Sequence, residues 1–126
     1  MTCVLDACAM IAYPRSEPGA EVVSHLLKQP AGRCAAHAIN LCEVYYHFFR
    51  EADRSRAEEA LSDLTDVGVV VRRDLENAFL KQVGDLKGTH RIALADAFAI
   101  ALALAPSPWP PMPSKTASNK IFLPLF

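Results

Sequence analysis

The sequence opens with a short apolar run, residues 3–5, that leads directly into an acid, Asp6. The run predicts a buried β-strand, and the small and apolar residues 7–13 predict a helix that ends at Pro14. Open α/β folds bind ligands at the carboxyl ends of their parallel strands. Asp6 therefore marks a candidate site, although it would equally serve as the N-cap of the helix, a contribution of about 1 kcal/mol.

Apolar strands and amphipathic helices alternate along the first 105 residues, which is long enough for one hydrophobic core. This alternation predicts a three-layer α/β/α sandwich with a mostly parallel central sheet. Ser55, with Glu58 three residues later, is predicted to cap its helix. The predicted strands are residues 2–5, 33–37 and 67–71, and the further predicted helices are residues 17–29, 39–52, 55–66, 75–86 and 93–105.

Two further acids lie in apolar surroundings. Glu43 belongs to a narrow polar row, with Asn40 and His47, beside the apolar stripe of its helix. Asp96 is the one polar residue in the run 92–105, which predicts a helix buried nearly all round. A buried unpaired carboxylate costs several kcal/mol, so Asp96 would need a cation, a donor or a metal. The alternatives are an exposed Glu43 and an Asp96 placed in a first helical turn by the helix dipole.

Three carboxylates at one end of a sheet would repel one another. A hard divalent cation with oxygen ligands removes that conflict. We therefore expect Asp6, Glu43 and Asp96 to gather around Mg²⁺ or Mn²⁺, which can activate a water and stabilise the transition state of phosphoryl transfer.

A basic stretch, Lys87, His90 and Arg91, leads into the helix of the last acid. Basic side chains beside an acidic metal site are what a nucleic-acid backbone requires, and an exposed loop is the simpler interpretation. His37 and His47 are interpreted as partly buried core or surface residues. The net charge of −1 gives no sign of bulk nucleic-acid binding.

The four cysteines indicate a reducing compartment and do not predict a metal site. They form no CxxC pair and lie in apolar segments, so we expect reduced core thiols in a cytoplasmic protein: Cys3, Cys8, Cys34 and Cys42. The N-terminus lacks the basic region of a signal peptide, and no apolar run reaches the roughly 18 residues of a membrane span, so no membrane partner is expected.

Three stretches, VLDACAMIAY, AINLCEVYYHF and HRIALADAFAIALALA, resemble in this order the motifs of PIN-domain ribonucleases, and among them the VapC-type toxins of bacterial toxin–antitoxin pairs. The resemblance covers residues 1–105 and implies a PIN-like fold and metal-dependent cleavage of RNA. It further implies an antitoxin partner and a homodimer. It matches Asp6, Glu43 and Asp96 to the metal-binding acids of the family.

Two neighbours of these acids are expected to contact the site. Cys8 stands where the family has a small polar residue beside the metal. Asn40 lies one helical turn before Glu43 on the same polar row.

The chain departs from the family after residue 105. The family continues into a strand and a fourth acid, but residues 106–126 contain no Asp or Glu and carry six of the nine prolines, which lack the amide donor of a central strand. We treat this as a separate proline-rich segment, irregular or frameshifted. The codons of residues 108–113, read from their third bases, permit Leu-Ala-Thr-Asp-Ala, which supports the frameshift hypothesis.

Two functions from different classes follow. The first is a metal-dependent endoribonuclease, the toxin of a toxin–antitoxin pair, whose activity the missing fourth acid would impair. The alternative is a catalytically weak PIN-like protein that acts by binding an antitoxin or itself through the aromatic helix of residues 39–49. A phosphotransfer domain with Asp6 as nucleophile ranks lower, because the second acid of that pattern is replaced by Cys8.

Overall fold

The computed structural model describes residues 2–28 and 33–106, and the predictions for residues 107–126 lie outside the described residues. Three strands alternate with six helices in the described ranges. The elements are β1 (Thr2–Val4), α1 (Ala7–Arg15), α2 (Ala20–Lys28), β2 (Arg33–His37), α3 (Ala38–Glu51), α4 (Arg54–Asp66), β3 (Val70–Arg72), α5 (Asn77–Thr89) and α6 (Leu94–Leu104).

The described strands form one parallel sheet in the order β1-β2-β3. Cys3 pairs with Cys34 across β1 and β2, and Ala36 pairs with Val71 across β2 and β3. Parallel neighbours need crossover connections, which helices supply here. Since all three strands run the same way, the residues that follow β1 and β2 meet at one edge of the sheet.

Helices cover both faces of the sheet, because successive side chains of β2 point in opposite directions. Cys34 and Ala36 belong to a core formed with α1 to α4. His37, on the other face, packs against Phe79 of α5 and Phe98 of α6. The prediction of an α/β/α arrangement around a mostly parallel sheet is confirmed.

Two predicted helix boundaries are wrong for identifiable reasons. Helix α1 continues through Pro14 to Arg15 and ends at Ser16, which adopts a left-handed conformation with φ of 52°. Helix α4 begins one residue before Ser55, and its cap is Asp53, whose carboxylate accepts a 2.8 Å hydrogen bond from the amide of Arg56. Asp is as good an N-cap as Ser, and here the extended residue is Asp53.

The prediction that all four cysteines lie in the core is wrong for two of them. Cys34 is buried and Cys3 is half-buried, but Cys8 and Cys42 are exposed on α1 and α3. Within the described residues, no helix is long and apolar enough to cross a membrane.

Candidate active site

Asp6 follows β1 and caps α1. Its Oδ1 accepts a hydrogen bond of 2.9 Å from the amide of Ala9, while the residue remains exposed. The structural and the functional interpretations are therefore compatible, because capping occupies one carboxylate oxygen and leaves the other open to solvent.

Glu43 is placed by the connection between β2 and α3. Helix α3 starts directly after β2, so Glu43 lies near the start of α3, beside the sheet edge where β1 also ends. The residue is half-buried. Burial raises the pKa of its carboxyl group, and the charges of Asp96 and Asp6 raise it further.

Asp96 lies in the first turn of α6 and is exposed. The expectation of a helix buried nearly all round is wrong, because α6 packs on α5, α3 and the sheet with one side only. Its other side leaves Leu94 54% and Leu104 61% exposed. A carboxylate on that open side needs no buried partner. A metal beside Asp96 is therefore favoured by the neighbouring acids and not by desolvation of Asp96.

The pKa of the Cys8 thiol is affected by all three acids. The charge of Asp6 is the largest cause that raises the pKa of this thiol, followed by burial and by the charges of Asp96 and Glu43. Charges that act on one thiol lie near it, so the three acids occupy one region of the fold. The fold thus brings together three acids that are far apart in the sequence.

Asn40 connects the helices that carry two of these acids. Its side chain is fully buried, and its Nδ2 donates a 3.0 Å hydrogen bond to the carbonyl oxygen of Ala95, the residue before Asp96. Its Oδ1 is buried and has no hydrogen-bond partner within the described residues. A buried acceptor without a partner is uncommon in folded proteins, so Asn40 is held in place by its bond to Ala95 at some cost in unmade hydrogen bonding.

His37 has a structural role that its sequence context did not reveal. Its Nδ1 accepts a hydrogen bond of 3.1 Å from the amide of Ile39 and so caps α3. Its Nε2 must then carry the proton, which it donates to the carbonyl of Asp74 at 2.9 Å. Burial lowers the pKa of His37, against a smaller opposing effect of Asp74.

The basic residues predicted to contact nucleic acid lie at the end of α5 and in the connection to α6. The expected loop is wrong for Lys87, which belongs to the last turn of α5, whereas His90 and Arg91 follow the helix; all three are exposed. The His90 Nδ1 lies 2.9 Å from the Thr89 Oγ1, so that ring is engaged locally. A contact with nucleic acid stays a prediction for these residues.

A recess beside Asp6 was not predicted from the sequence. Small side chains on α1 and α6 form its walls, and their spacing was the available signal: Ala99 and Ala103 are four residues apart on one helical face. The recess is lined by Val4, Asp6, Ala9, Ala99, Ile100 and Ala103. A second recess, between α1, α2 and α4, contains Glu21, Asp63 and Asp66 but none of the three site acids, and its charge would repel a polyanion.

The three acids are suited to a divalent cation by their chemistry. In the part of the chain that the structure describes, no group of three or more His, Cys, Asp or Glu side chains is placed so that it could hold a metal ion. Binding one cation would therefore require the three carboxylates to move closer together, and the cation would offset the charges of Asp96 and Asp6 that, after burial, raise the pKa of Glu43. Three hard oxygen donors of this kind are typical ligands of Mg²⁺ and Mn²⁺.

The fold and the site together define an α/β/α domain with an acidic centre at the carboxyl edge of a parallel sheet. The family model of the PIN domain matches residues 3–106, and the chain belongs to this family. PIN domains are generally nucleases, which agrees with an acidic site open to solvent. A comparison with curated proteins finds no match.

Proposed function

We propose that this protein is a metal-dependent endoribonuclease of the VapC type. The observation that supports the proposal is the placement of three acids near one edge of the sheet: Asp6 follows β1, Glu43 lies on the helix that follows β2, and Asp96 follows Ala95, which is hydrogen-bonded to Asn40 of that same helix. Burial raises the pKa of Glu43, and the charges of Asp96 and Asp6 raise it further. A nuclease site needs such a concentration of oxygen donors, because the phosphodiester it cleaves is itself negative and requires a cation for neutralisation.

Asp6, Glu43 and Asp96 would hold the metal, Mg²⁺ or Mn²⁺. When bound, the metal supplies a nucleophile at neutral pH and neutralises charge that develops on the phosphate. Asp6 can offer the carboxylate oxygen that does not cap α1, so binding need not unwind the helix. Asn40 holds the first turn of α6, and with it Asp96, against α3.

The surroundings of the acids are consistent with a nucleic-acid substrate. The recess beside Asp6 is lined by apolar side chains, three of them alanines, so Asp6 is accessible to a chain of nucleotides. Lys87 and Arg91 are exposed at the connection that leads to α6 and would contact backbone phosphates. We propose RNA as the substrate, and the cytoplasm as the compartment, on the basis of the toxin resemblance.

The test is cleavage of RNA by purified protein in Mg²⁺, Mn²⁺ or EDTA. Two variants at one position separate capping from catalysis. Asp6→Asn keeps an oxygen for the Ala9 amide, whereas Asp6→Ala removes the cap, which costs about 1 kcal/mol of stability. We expect both variants to lose cleavage and only Asp6→Ala to lose stability.

Glu43→Gln and Asp96→Asn should also abolish cleavage, since each removes one carboxylate from the site. Cleavage that persists in all of these variants, or in EDTA, would come from a contaminant or another site and would refute the proposal. Folded protein that binds metal and cleaves no RNA would favour the second candidate function.

That second function is binding without catalysis, and one observation favours it. Helix α3 exposes an aromatic stripe, with Tyr46 45% and Phe49 44% accessible and Ile39 on the same side. A stripe of this kind suits a protein partner. We propose an antitoxin and a second copy of the chain as the partners. Sedimentation of wild type and Phe49→Ser would test the homodimer, which the substitution should weaken.

A further inference from the structure

Cys3 of β1 and Cys34 of β2 form a pair of thiols under the active site. They are direct partners in the parallel register, and their Sγ atoms lie 2.6 Å apart. Both are free cysteines; Cys34 is buried and Cys3 is half-buried. Thirty-one positions separate them in the sequence, so only the pairing of the two strands brings them together.

The backbone around this pair is already compatible with a disulfide. Neighbouring strands lie about 4.8 Å apart, within the roughly 4.4–6.8 Å between Cα atoms that disulfides span. Directly paired residues of parallel strands also point to the same face of the sheet, and both thiols belong to the core formed with α1 to α4. Joining the two sulfurs therefore requires no shift of either strand.

We propose that Cys3 and Cys34 form an oxidation site, at which a hydroperoxide converts the two thiols into an intramolecular disulfide. The Cys3 thiolate attacks a peroxide oxygen, which gives a sulfenic acid and, from hydrogen peroxide, one water. The Cys34 sulfur then attacks the Cys3 sulfur and displaces the second water. The two thiols lose two hydrogens and two electrons in total, and the peroxide takes them up.

The surroundings of the two sulfurs decide the order of these steps. Cys3 is the more accessible thiol and reacts with the peroxide first. Burial raises the pKa of Cys34 to about 12. The second step is therefore slow at neutral pH and should become faster as the pH rises, because the thiolate is the attacking species.

The disulfide would tie β1 to β2 three residues before Asp6. Without it, β1 is a strand of three residues that, within the described residues, is held to the sheet by β2 alone. A crosslink that closes a loop of this length should raise the melting temperature by on the order of 10 °C. The proposal does not depend on the nuclease activity.

The experiment uses full-length protein with Cys8→Ser and Cys42→Ser, so that Cys3 and Cys34 are its only thiols. The protein is treated with hydrogen peroxide, alkylated and digested for mass spectrometry, and its melting temperature is measured with and without reductant. We expect loss of two hydrogens, a linked Cys3–Cys34 peptide and a raised melting temperature that reductant reverses.

Adding Cys34→Ala to this protein provides the control, with Cys3→Ser as the second variant if the first does not fold. Neither variant should show a peroxide-dependent rise in melting temperature. The proposal is overturned if peroxide leaves both thiols of the parent open to alkylation. It is equally overturned if Cys3 proceeds to a sulfinic acid while Cys34 stays free.

Discussion

The buried side-chain amide of Asn40 donates a 3.0 Å hydrogen bond to the carbonyl oxygen of Ala95 and joins the start of α3 to the first turn of α6. Glu43 lies one turn beyond Asn40, and Asp96 directly follows Ala95. This bond therefore helps to fix the distance between Glu43 and Asp96, although Asn40 itself carries no charge.

We predict that Asn40→Ala lowers stability by about 1–3 kcal/mol, because a buried hydrogen bond is lost. It should also weaken Mn²⁺ binding by about tenfold to hundredfold, the usual effect of removing a group that orients metal ligands. Urea unfolding and titration calorimetry measure the two effects. Asn77→Ala, at an exposed position of α5, is the matched control, and unchanged Mn²⁺ affinity in Asn40→Ala would contradict the positioning role.

Glu43 should reduce stability at neutral pH in the absence of metal. Burial raises the pKa of Glu43, and the charges of Asp96 and Asp6 raise it further. The stability that Glu43 contributes is therefore fully present below its unfolded pKa of about 4.3, and it is lost as the pH rises through the folded pKa. Glu43→Gln should therefore melt at a higher temperature than wild type at pH 7 in EDTA.

When Mn²⁺ is added, wild type should gain more in melting temperature than Glu43→Gln, because only wild type retains the carboxylate that binds Mn²⁺. Thermal melts between pH 4 and 8, with EDTA or Mn²⁺, measure both effects. Glu58→Gln, on the exposed side of α4, controls for the general loss of one negative charge. An equal response of Glu43→Gln and wild type to Mn²⁺ would remove Glu43 from the site.

His37 should make the protein less stable in acid. Burial lowers the pKa of His37; Asp74 opposes this shift and Arg72 adds to it. The stability that His37 contributes is therefore present above the unfolded pKa of about 6.5, and it is lost as the pH falls through the folded pKa. Protonation also removes the acceptor for the Ile39 amide.

Urea unfolding at pH 5, 6, 7 and 8 measures this effect. His37→Asn supplies a capping oxygen that does not titrate, so we expect the stability of this variant to depend less on pH. At pH 8 its free energy of unfolding should be about 1–3 kcal/mol below that of wild type, because a different side chain is buried. His25→Asn, on the exposed side of α2, should keep the pH profile of wild type. A His37→Asn profile as steep as that of wild type would show that another group titrates.

Arg15 joins the helix capped by Asp6 to the helix that carries Glu43. Its guanidinium forms an ion pair with Glu51, lies 2.7 Å from His47 Nε2 and stacks over the Phe48 ring at 5.4 Å. Arg15→Ala should lower stability by about 1–2 kcal/mol, and Arg15→Lys should recover only part of it, since Lys lacks the planar group that stacks and bonds at once.

Chemical unfolding of the two Arg15 variants beside Arg54→Ala tests this role, because Arg54 is an exposed arginine at the start of α4. Equal stability of Arg15→Ala and Arg54→Ala would mean that the α1–α3 contact contributes nothing measurable.

Local patterns were sufficient for the order of the elements, and they selected three acids as the candidate site, whose role stays a prediction. An apolar strand that ends at Asp6, and helical spacing around Glu43, depend on residues within a few positions of each other, so they can be recognised without the fold. Where two acceptors compete within such a window, as Asp53 and Ser55 do before α4, the sequence does not say which one caps.

The burial of α6 shows the limit of that information. A run of apolar residues interrupted only by Asp96 suggested a helix enclosed on all sides, and the fold covers only one side, so Asp96 faces solvent beside Leu94. The sequence by itself determined that strands and helices alternate and that acids follow the first strand and lie on two helices. Only the tertiary structure decided that Asn40 meets Ala95 and that Cys3 meets Cys34, because strand register and helix packing join residues that no local pattern connects.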